Sequence, residues 1–166
     1  MNPAENNGAW PRTVRVLLLL ALAGCILFIF SNSLQKGGAS EARSGLALTR
    51  AQAVLTAAGL PQLAAFLTDH IIRKLGHFSE YLLEGVLLLL CLRAQTARFG
   101  PLLSRPLLAG LLTALCDESI QLFTAGRSGQ VSDVWIDFAG VCGGILAARL
   151  VLAVCRGVRK RRRKRA

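Results

Sequence analysis

The chain has 166 residues, of which 53% are hydrophobic, and its mean hydropathy is +0.48. This composition is too apolar for an ordinary soluble domain and favours a small membrane protein that crosses the bilayer several times. The formal net charge is +11. Much of it lies in the final segment, 156–166, so the high pI describes that tail rather than the rest of the chain.

Four apolar segments are long enough to be membrane spans. Each has about 17 to 22 residues, near the number that a helix needs to cross a hydrocarbon core of about 30 Å. The four segments are 14–30, 71–92, 107–123 and 134–155. The sequence therefore predicts an all-α fold, a four-transmembrane-helix bundle. Its membrane domain covers 14–155, after a loosely structured N-terminal segment, 1–13, and before the basic tail, 156–166.

Arginines predict the orientation of these spans. Arg12 and Arg15 precede the first span, and Arg93, Arg98 and Arg105 lie between the second and the third. Short basic loops stay in the cytoplasm, so we expect both termini there. The first span also resembles a signal peptide, but we expect it to be retained as an anchor. A basic tail directly after a span predicts contact with anionic membrane lipids and no nucleic-acid partner.

The segment between the first two spans is predicted to lie outside and to be largely helical. The stretch 37–45, GGASEARSG, is typical of a turn, whereas 46–58 and 61–72 have helical composition. The second piece has apolar residues at helical spacing, which predicts an amphipathic helix on the outer interface that runs straight into the second span. His70, just before that span, is interpreted as an interfacial residue.

Polar residues share one face at the start of the second span. Lys74, His77, Glu80 and Tyr81 fall on about one third of the helix circumference, because successive residues turn by about 100°. Glu84 lies one turn deeper.

The third and fourth spans also carry carboxylates near their predicted outer ends. The third has Asp117, Glu118 and Gln121, and the following loop has Arg127. Ser132 is predicted to be the N-cap of the fourth span, whose stripe begins with two carboxylates and continues with small residues. That stripe is Asp133, Asp137, Gly140, Gly144 and Ala148. Its small residues are interpreted as a surface for close helix packing.

The topology places all these polar groups on the outer side of the membrane, which predicts a shared pocket open to the outside. Ionisable groups inside a membrane are costly and normally face the bundle interior. The predicted ligand-binding residues are Ser31, Ser33, Lys74, His77, Glu80, Tyr81, Asp117, Glu118, Gln121, Arg127, Asp133 and Asp137. The alternative is a network of ion pairs that only holds the four helices together.

Two stretches, KLGHFSEYLLEG at 74–85 and DESIQLFTAGRSGQVSDVWIDFAGVCGG at 117–144, resemble the signature regions of the VanZ-like family. FSNS at 30–33 resembles a weaker third region, and the likeness extends from Leu20 to Ala148. Members often have Asn where Asp137 stands, and Glu84 is not carried over as a family residue. The resemblance implies a bacterial integral membrane protein, related to one associated with low-level resistance to the lipoglycopeptide teicoplanin. It brings no defined biochemical activity.

The leading hypothesis is a non-catalytic protein of the bacterial cell envelope. Its pocket would bind a lipid headgroup, a wall precursor or a lipoglycopeptide, with Lys74 and Arg127 as the groups for phosphate or carboxylate. The five cysteines have no metal-type spacing and are interpreted as apolar thiols, and the leading hypothesis includes no metal site. The sequence identifies no cofactor and no oligomeric state.

The rival hypothesis is a membrane-embedded hydrolase or transferase. His77 would be the general base, oriented by Glu80 or Asp117. No serine or cysteine lies in a recognised nucleophile motif, although Ser31, Ser33 and Tyr81 are conceivable partners. A divalent metal would remove the need for a nucleophile. The ligands considered for that metal are His77, Glu80, Asp117, Glu118 and Asp133. A proton-coupled transporter is a third hypothesis, which the lack of polar groups in the inner halves of the spans disfavours.

Overall fold

A computed structural model describes residues 10–96 and 100–163, and within these ranges the chain is all-helical, without a strand. Six α-helices follow one another, with a short 3-10 turn at Gly100–Leu102 before α5. The helices are α1 (Arg12–Ser33), α2 (Gly37–Ala57), α3 (Pro61–Phe66), α4 (Asp69–Gln95), α5 (Ser104–Leu122) and α6 (Val131–Arg163). Most of the predicted N-terminal segment, Arg98 and the last three residues lie outside the described ranges.

Three of these helices are long and apolar enough to cross a membrane. They are α1, α4 and the part of α6 at Val131–Val158. Only 6% of the most apolar stretch of α1 is buried inside the protein, so its leucines are available to lipid. The all-helical membrane protein predicted from the sequence is confirmed at this level. α5 covers the predicted third span but is shorter, with 19 residues, and carries Arg105, Asp117 and Glu118.

The most extensive helix contact joins α4 to α6. Glycines permit it: a Cβ atom on Gly140 would lie 2.6 Å from the Phe78 carbonyl oxygen, and one on Gly144 would overlap the Leu82 carbonyl. Gly85 of α4 is pressed in the same way against the backbone at Val141. Small residues at these positions let the two backbones approach closely, as the stripe in the fourth span predicts.

The region outside the predicted spans differs from expectation at two places. The stretch 37–45 is not a turn, because α2 begins at Gly37 and continues through it. Its alanines, glutamate and arginine are compatible with a helix, and Gly37 N–H donates to the Ala125 carbonyl at 3.1 Å. That bond fixes the start of α2 beside the loop between α5 and α6.

The predicted continuous helix over 61–72 is also wrong. α3 ends at Phe66, Leu67 is extended, and Thr68 caps a new helix by accepting a hydrogen bond from Ile71 N–H at 3.3 Å. A threonine at this position stabilises a helix start more than it stabilises a helix interior. His70 is exposed, in the first turn of α4.

Candidate polar site between the helices

A carboxylate–histidine cluster lies where α4, α5 and α6 meet. It consists of His77, Asp117, Glu118 and Asp137, and one ligand atom from each lies within 4.8 Å of those of the other three. His77 Nδ1 is 3.6 Å from Asp137 Oδ1 and 4.0 Å from Asp117 Oδ2. The solvent-exposed fraction is 0% for Asp117 and for Asp137, and 5% for Glu118. Three carboxylates and one imidazole therefore share a buried site.

Glu118 is the best-anchored member of this cluster. Its Oε1 accepts a hydrogen bond from Gln121 Nε2 at 2.9 Å, and its Oε2 accepts one from the Gln130 backbone N–H at 2.8 Å. Gln121 also contacts Ser33 Oγ at 3.4 Å, which links α5 to the end of α1. Residues three apart on a helix lie side by side, so Gln121 holds Glu118 from within α5.

The remaining members have unused hydrogen-bonding atoms. Both carboxylate oxygens of Asp137, Oδ1 of Asp117 and Nδ1 of His77 are buried and form no hydrogen bond with any described residue. Buried polar atoms are normally satisfied, and each exception requires an explanation. No lysine or arginine of the described ranges lies within 4.0 Å of the cluster's carboxylates.

A second feature, the arginine cavity, adjoins the cluster at His77. Its volume is about 310 Å³. It is lined by Phe28, Asn32, Ser40, Arg43, Ser44, Ala47, Ile72, Arg73, Gly76, His77, Glu80 and Arg127. Three guanidinium groups and one carboxylate thus face a cavity whose walls also include apolar side chains.

Asn32 forms hydrogen bonds with both a carboxylate and a guanidinium group of this cavity. Its amide donates to Glu80 Oε1 at 2.9 Å, while its carbonyl oxygen accepts from Arg43 Nη1 at 3.4 Å. On the other side Arg127 Nη1 donates to Ser40 Oγ at 2.7 Å. Burial, more than the nearby charge of Arg73, lowers the pKa of Arg127, while Asp117 and Glu118 favour its charged form. The guanidinium remains a cation at neutral pH.

The sequence-predicted residues divide into those in the cluster or cavity and those elsewhere. His77, Glu80, Asp117, Glu118, Arg127 and Asp137 lie in the cluster or the cavity, and Ser33 and Gln121 adjoin the cluster. Lys74 and Asp133 instead pair with each other. Ser31 is exposed and donates to the Phe28 carbonyl of its own helix at 2.8 Å.

Tyr81 and Glu84 lie deeper in α4 than His77, and Ser132 lies at the start of α6. Tyr81 and Glu84 are wholly buried, and the Tyr81 hydroxyl and both Glu84 oxygens form no hydrogen bond within the described part of the chain. Ser132 is not the N-cap of α6, because that helix already begins at Val131. Its hydroxyl instead donates toward Gln130 Oε1 at 3.3 Å and Asp133 Oδ1 at 3.1 Å.

The predicted set omits Asn32, Arg43 and Arg73, whose amide and guanidinium groups line the cavity. Asn32 lies between the two serines that were included, and Arg73 directly precedes Lys74. Their position at span ends could have identified them. Arg43 lies in 37–45, where the composition predicts a turn, and only the helical course of α2 brings it to the cavity.

The model of the VanZ/LLP1 family matches residues 15–152 of this chain. That match includes the carboxylate–histidine cluster and every residue that lines the arginine cavity. The chain belongs to the VanZ/LLP1 family. No curated protein and no solved structure matches it. The VanZ-like family predicted from the sequence is therefore confirmed.

The surroundings of His77 bear on the rival hypothesis of a hydrolase or transferase. No hydrogen bond joins His77 to a serine, cysteine or tyrosine within residues 10–96 and 100–163. A general base needs to lie within hydrogen-bond reach of the group that it activates. The candidate site thus consists of the arginine cavity and the buried cluster that adjoins it at His77.

Proposed function

We propose that this VanZ-like protein binds the anionic headgroup of a membrane amphiphile in the arginine cavity. The observation that carries the proposal is the presence of Arg43, Arg73 and Arg127 around one cavity. Guanidinium groups form paired, charge-assisted hydrogen bonds with phosphate and carboxylate groups. Glu80, held by Asn32, would accept from an amine or hydroxyl of the same headgroup.

The surroundings of the cavity suit an amphiphile better than a free anion. Phe28 of α1, Ala47 of α2 and Ile72 of α4 provide apolar wall beside the arginines. The adjoining surface of α1 exposes Phe28 and Leu27, with exposed fractions of 55% and 68%. A ligand with a charged head and an apolar chain can satisfy both surfaces at once.

We place this cavity at the outer surface of a bacterial cytoplasmic membrane. The proposed topology has four spans, formed by α1, α4, α5 and α6, with both termini in the cytoplasm. Arg12 and Arg15 lie at the end of α1 opposite to the cavity, as the distribution of positive charge in membrane proteins favours. The ligand would then be a phosphate-bearing lipid or a lipid-linked wall precursor. Teicoplanin is a third candidate ligand, which the family resemblance suggests. It is a lipoglycopeptide with acidic groups and an acyl chain.

The test is lipid binding by the purified full-length protein in nanodiscs of phosphatidylcholine. Native mass spectrometry would count bound phosphatidylglycerol, polyprenyl pyrophosphate or teicoplanin, each added alone. The double variant Arg43→Gln, Arg73→Gln should lose at least about tenfold in affinity, because each charge-assisted hydrogen bond contributes about 1.5–3 kcal/mol. The ligand that binds most tightly shows whether the cavity prefers a phospholipid, a lipid-linked wall precursor or a lipoglycopeptide.

Arg50→Gln is the matched control, because Arg50 is an exposed arginine of α2 outside the cavity. It should bind as the unsubstituted protein does. Equal loss in the control and in the double variant would show a general charge effect and overturn the proposal. So would unchanged binding of all three ligands by the double variant.

A further inference from the structure

We infer that His77, Asp117, Glu118 and Asp137 form a binding site for one divalent metal ion. The ion belongs to the class that accepts mixed imidazole and carboxylate ligands, of which Zn²⁺ and Mn²⁺ are the available probes. This inference does not depend on the proposed function, since it concerns the buried cluster rather than the arginine cavity.

The distances fit a single ion. Divalent ions bind nitrogen and oxygen ligands at about 2.0–2.4 Å, so two ligands on opposite sides are about 4.0–4.8 Å apart. The four candidate ligand atoms all lie within 4.8 Å of one another.

The charges in the cluster call for a cation. Burying an unpaired carboxylate is costly, and three share this site. Among the described side chains, His77 is the only basic group within 4.0 Å of these three carboxylates, and it lies beside Asp117 and Asp137, whereas Lys74 pairs with Asp133. A divalent ion neutralises two of the three negative charges without requiring a cationic side chain.

Asp137 provides the independent indication of a ligand. It is wholly buried, its two oxygens accept no hydrogen bond from a described residue, and Oδ1 faces His77 Nδ1 at 3.6 Å. That separation is too long for a hydrogen bond. The carboxylate and the imidazole thus lie side by side without a hydrogen bond between them, and both can act as ligands of one ion.

Outer contacts already orient part of this site. Glu118 is held by Gln121 and by the Gln130 backbone N–H. Such supporting hydrogen bonds fix the direction of a ligating carboxylate. The imidazole favours Zn²⁺ or a similar transition ion over Mg²⁺ and Ca²⁺, which prefer all-oxygen sites.

The ligand set differs from the one considered for the rival hypothesis. Glu80 accepts from Asn32, and Asp133 pairs with Lys74, so neither joins the four-residue cluster. Asp137 takes their place. Its position one turn after Asp133 puts it deeper, where α6 meets α4.

The experiment measures metal content and affinity of the full-length protein in nanodiscs. After treatment with EDTA and reloading with Zn²⁺ or Mn²⁺, elemental analysis should find about one ion per chain for a single site. Asp137→Asn and Asp117→Asn should each weaken binding at least about tenfold. Co²⁺ loading should give a visible absorption spectrum that changes in His77→Ala, which reports the nitrogen ligand directly.

Glu84→Gln is the matched control, because Glu84 is also a wholly buried carboxylate of α4 but lies outside the cluster. It should retain metal, as should the double variant Arg43→Gln, Arg73→Gln. Circular dichroism and gel filtration confirm that each variant is folded. A folded protein that holds no stoichiometric ion, or equal affinity in Asp137→Asn and the unsubstituted protein, would overturn the inference and leave the lipid-binding proposal intact.

Discussion

Lys74 of α4 and Asp133 of α6 form an ion pair above the carboxylate–histidine cluster. Both side chains are about one quarter exposed, at 27% and 26%. The pair joins the N-terminal part of α4 to the first turn of α6 and lies apart from the arginine cavity. The pair therefore connects these two helix ends, and the assignment of Lys74 to ligand binding stays a prediction.

Removal of one partner should cost more than removal of both. Lys74→Met leaves the partly buried carboxylate of Asp133 without a cation. Asp133→Asn leaves the partly buried ammonium group of Lys74 without an anion. A double-mutant cycle should give a coupling energy of about 1–2 kcal/mol, between the values of exposed and buried pairs. Unfolding of the detergent-solubilised protein measures it. Additive effects of the two substitutions would show that the pair is not stabilising.

A second prediction concerns the contact of α6 with α4. In Gly144→Ala the added methyl group would overlap the Leu82 backbone, so the helices must shift apart. The expected loss is about 1–3 kcal/mol in the free energy of unfolding. Gly143→Ala is the matched control, because its Cβ would meet only Phe78 Cζ at 3.7 Å.

Gly143→Ala should be neutral or slightly stabilising, since alanine is the better helix former by about 1 kcal/mol. Thermal unfolding of the two variants in one detergent makes the comparison. Equal melting temperatures would contradict the close approach of the two backbones.

A third prediction concerns Gln121, the amide that supports Glu118. Gln121→Glu replaces a buried donor by another carboxylate beside Glu118 and Asp117. In EDTA the variant should be less stable by about 1.5–3 kcal/mol, the cost of losing a hydrogen bond to a charged group. The same change at exposed Gln62 of α3 should have little effect. If both variants unfold alike, Gln121 does not support the cluster.

The sequence predicts the helices well where the apolar runs are long. It also predicts the face of α4 that carries His77, because helical periodicity alone determines which residues share a side. Periodicity does not determine which faces of different helices meet. The pairing of Lys74 with Asp133, rather than with Asp117 or Asp137, follows from the register that Gly140 and Gly144 impose on α4 and α6.

The sequence predicts the segments 37–45 and 61–72 less well, because local composition does not determine where a helix begins or ends there. The glycines at 37–38 favour a turn by propensity, yet Gly37 is needed where the helix start meets Gly126 closely. Gly126 has a positive φ of 74°, and its carbonyl would clash with any Cβ at position 37. Gly37 and Gly126 are far apart in the chain, so local sequence does not predict their contact. Local sequence likewise does not predict that Arg43, further along α2, lines the cavity.

The last prediction decides the number of spans. α5 carries several charged groups and is shorter than α1, α4 and α6, so its hydropathy alone does not establish a crossing. If α1, α4, α5 and α6 all cross, the C-terminal end of α6 is on the same side as the N-terminus. If α5 does not cross, the two ends are on opposite sides.

Single cysteines in a variant without the native cysteines distinguish these topologies. Arg50→Cys on α2 and Arg161→Cys near the end of α6 are both at exposed positions. With the N-terminus in the cytoplasm, a membrane-impermeant maleimide should label position 50 in intact cells under either topology. It should label position 161 only after permeabilisation if there are four spans. Labelling of position 161 in intact cells would instead show three spans, and it would place the basic end of α6 outside, against the positive-inside rule.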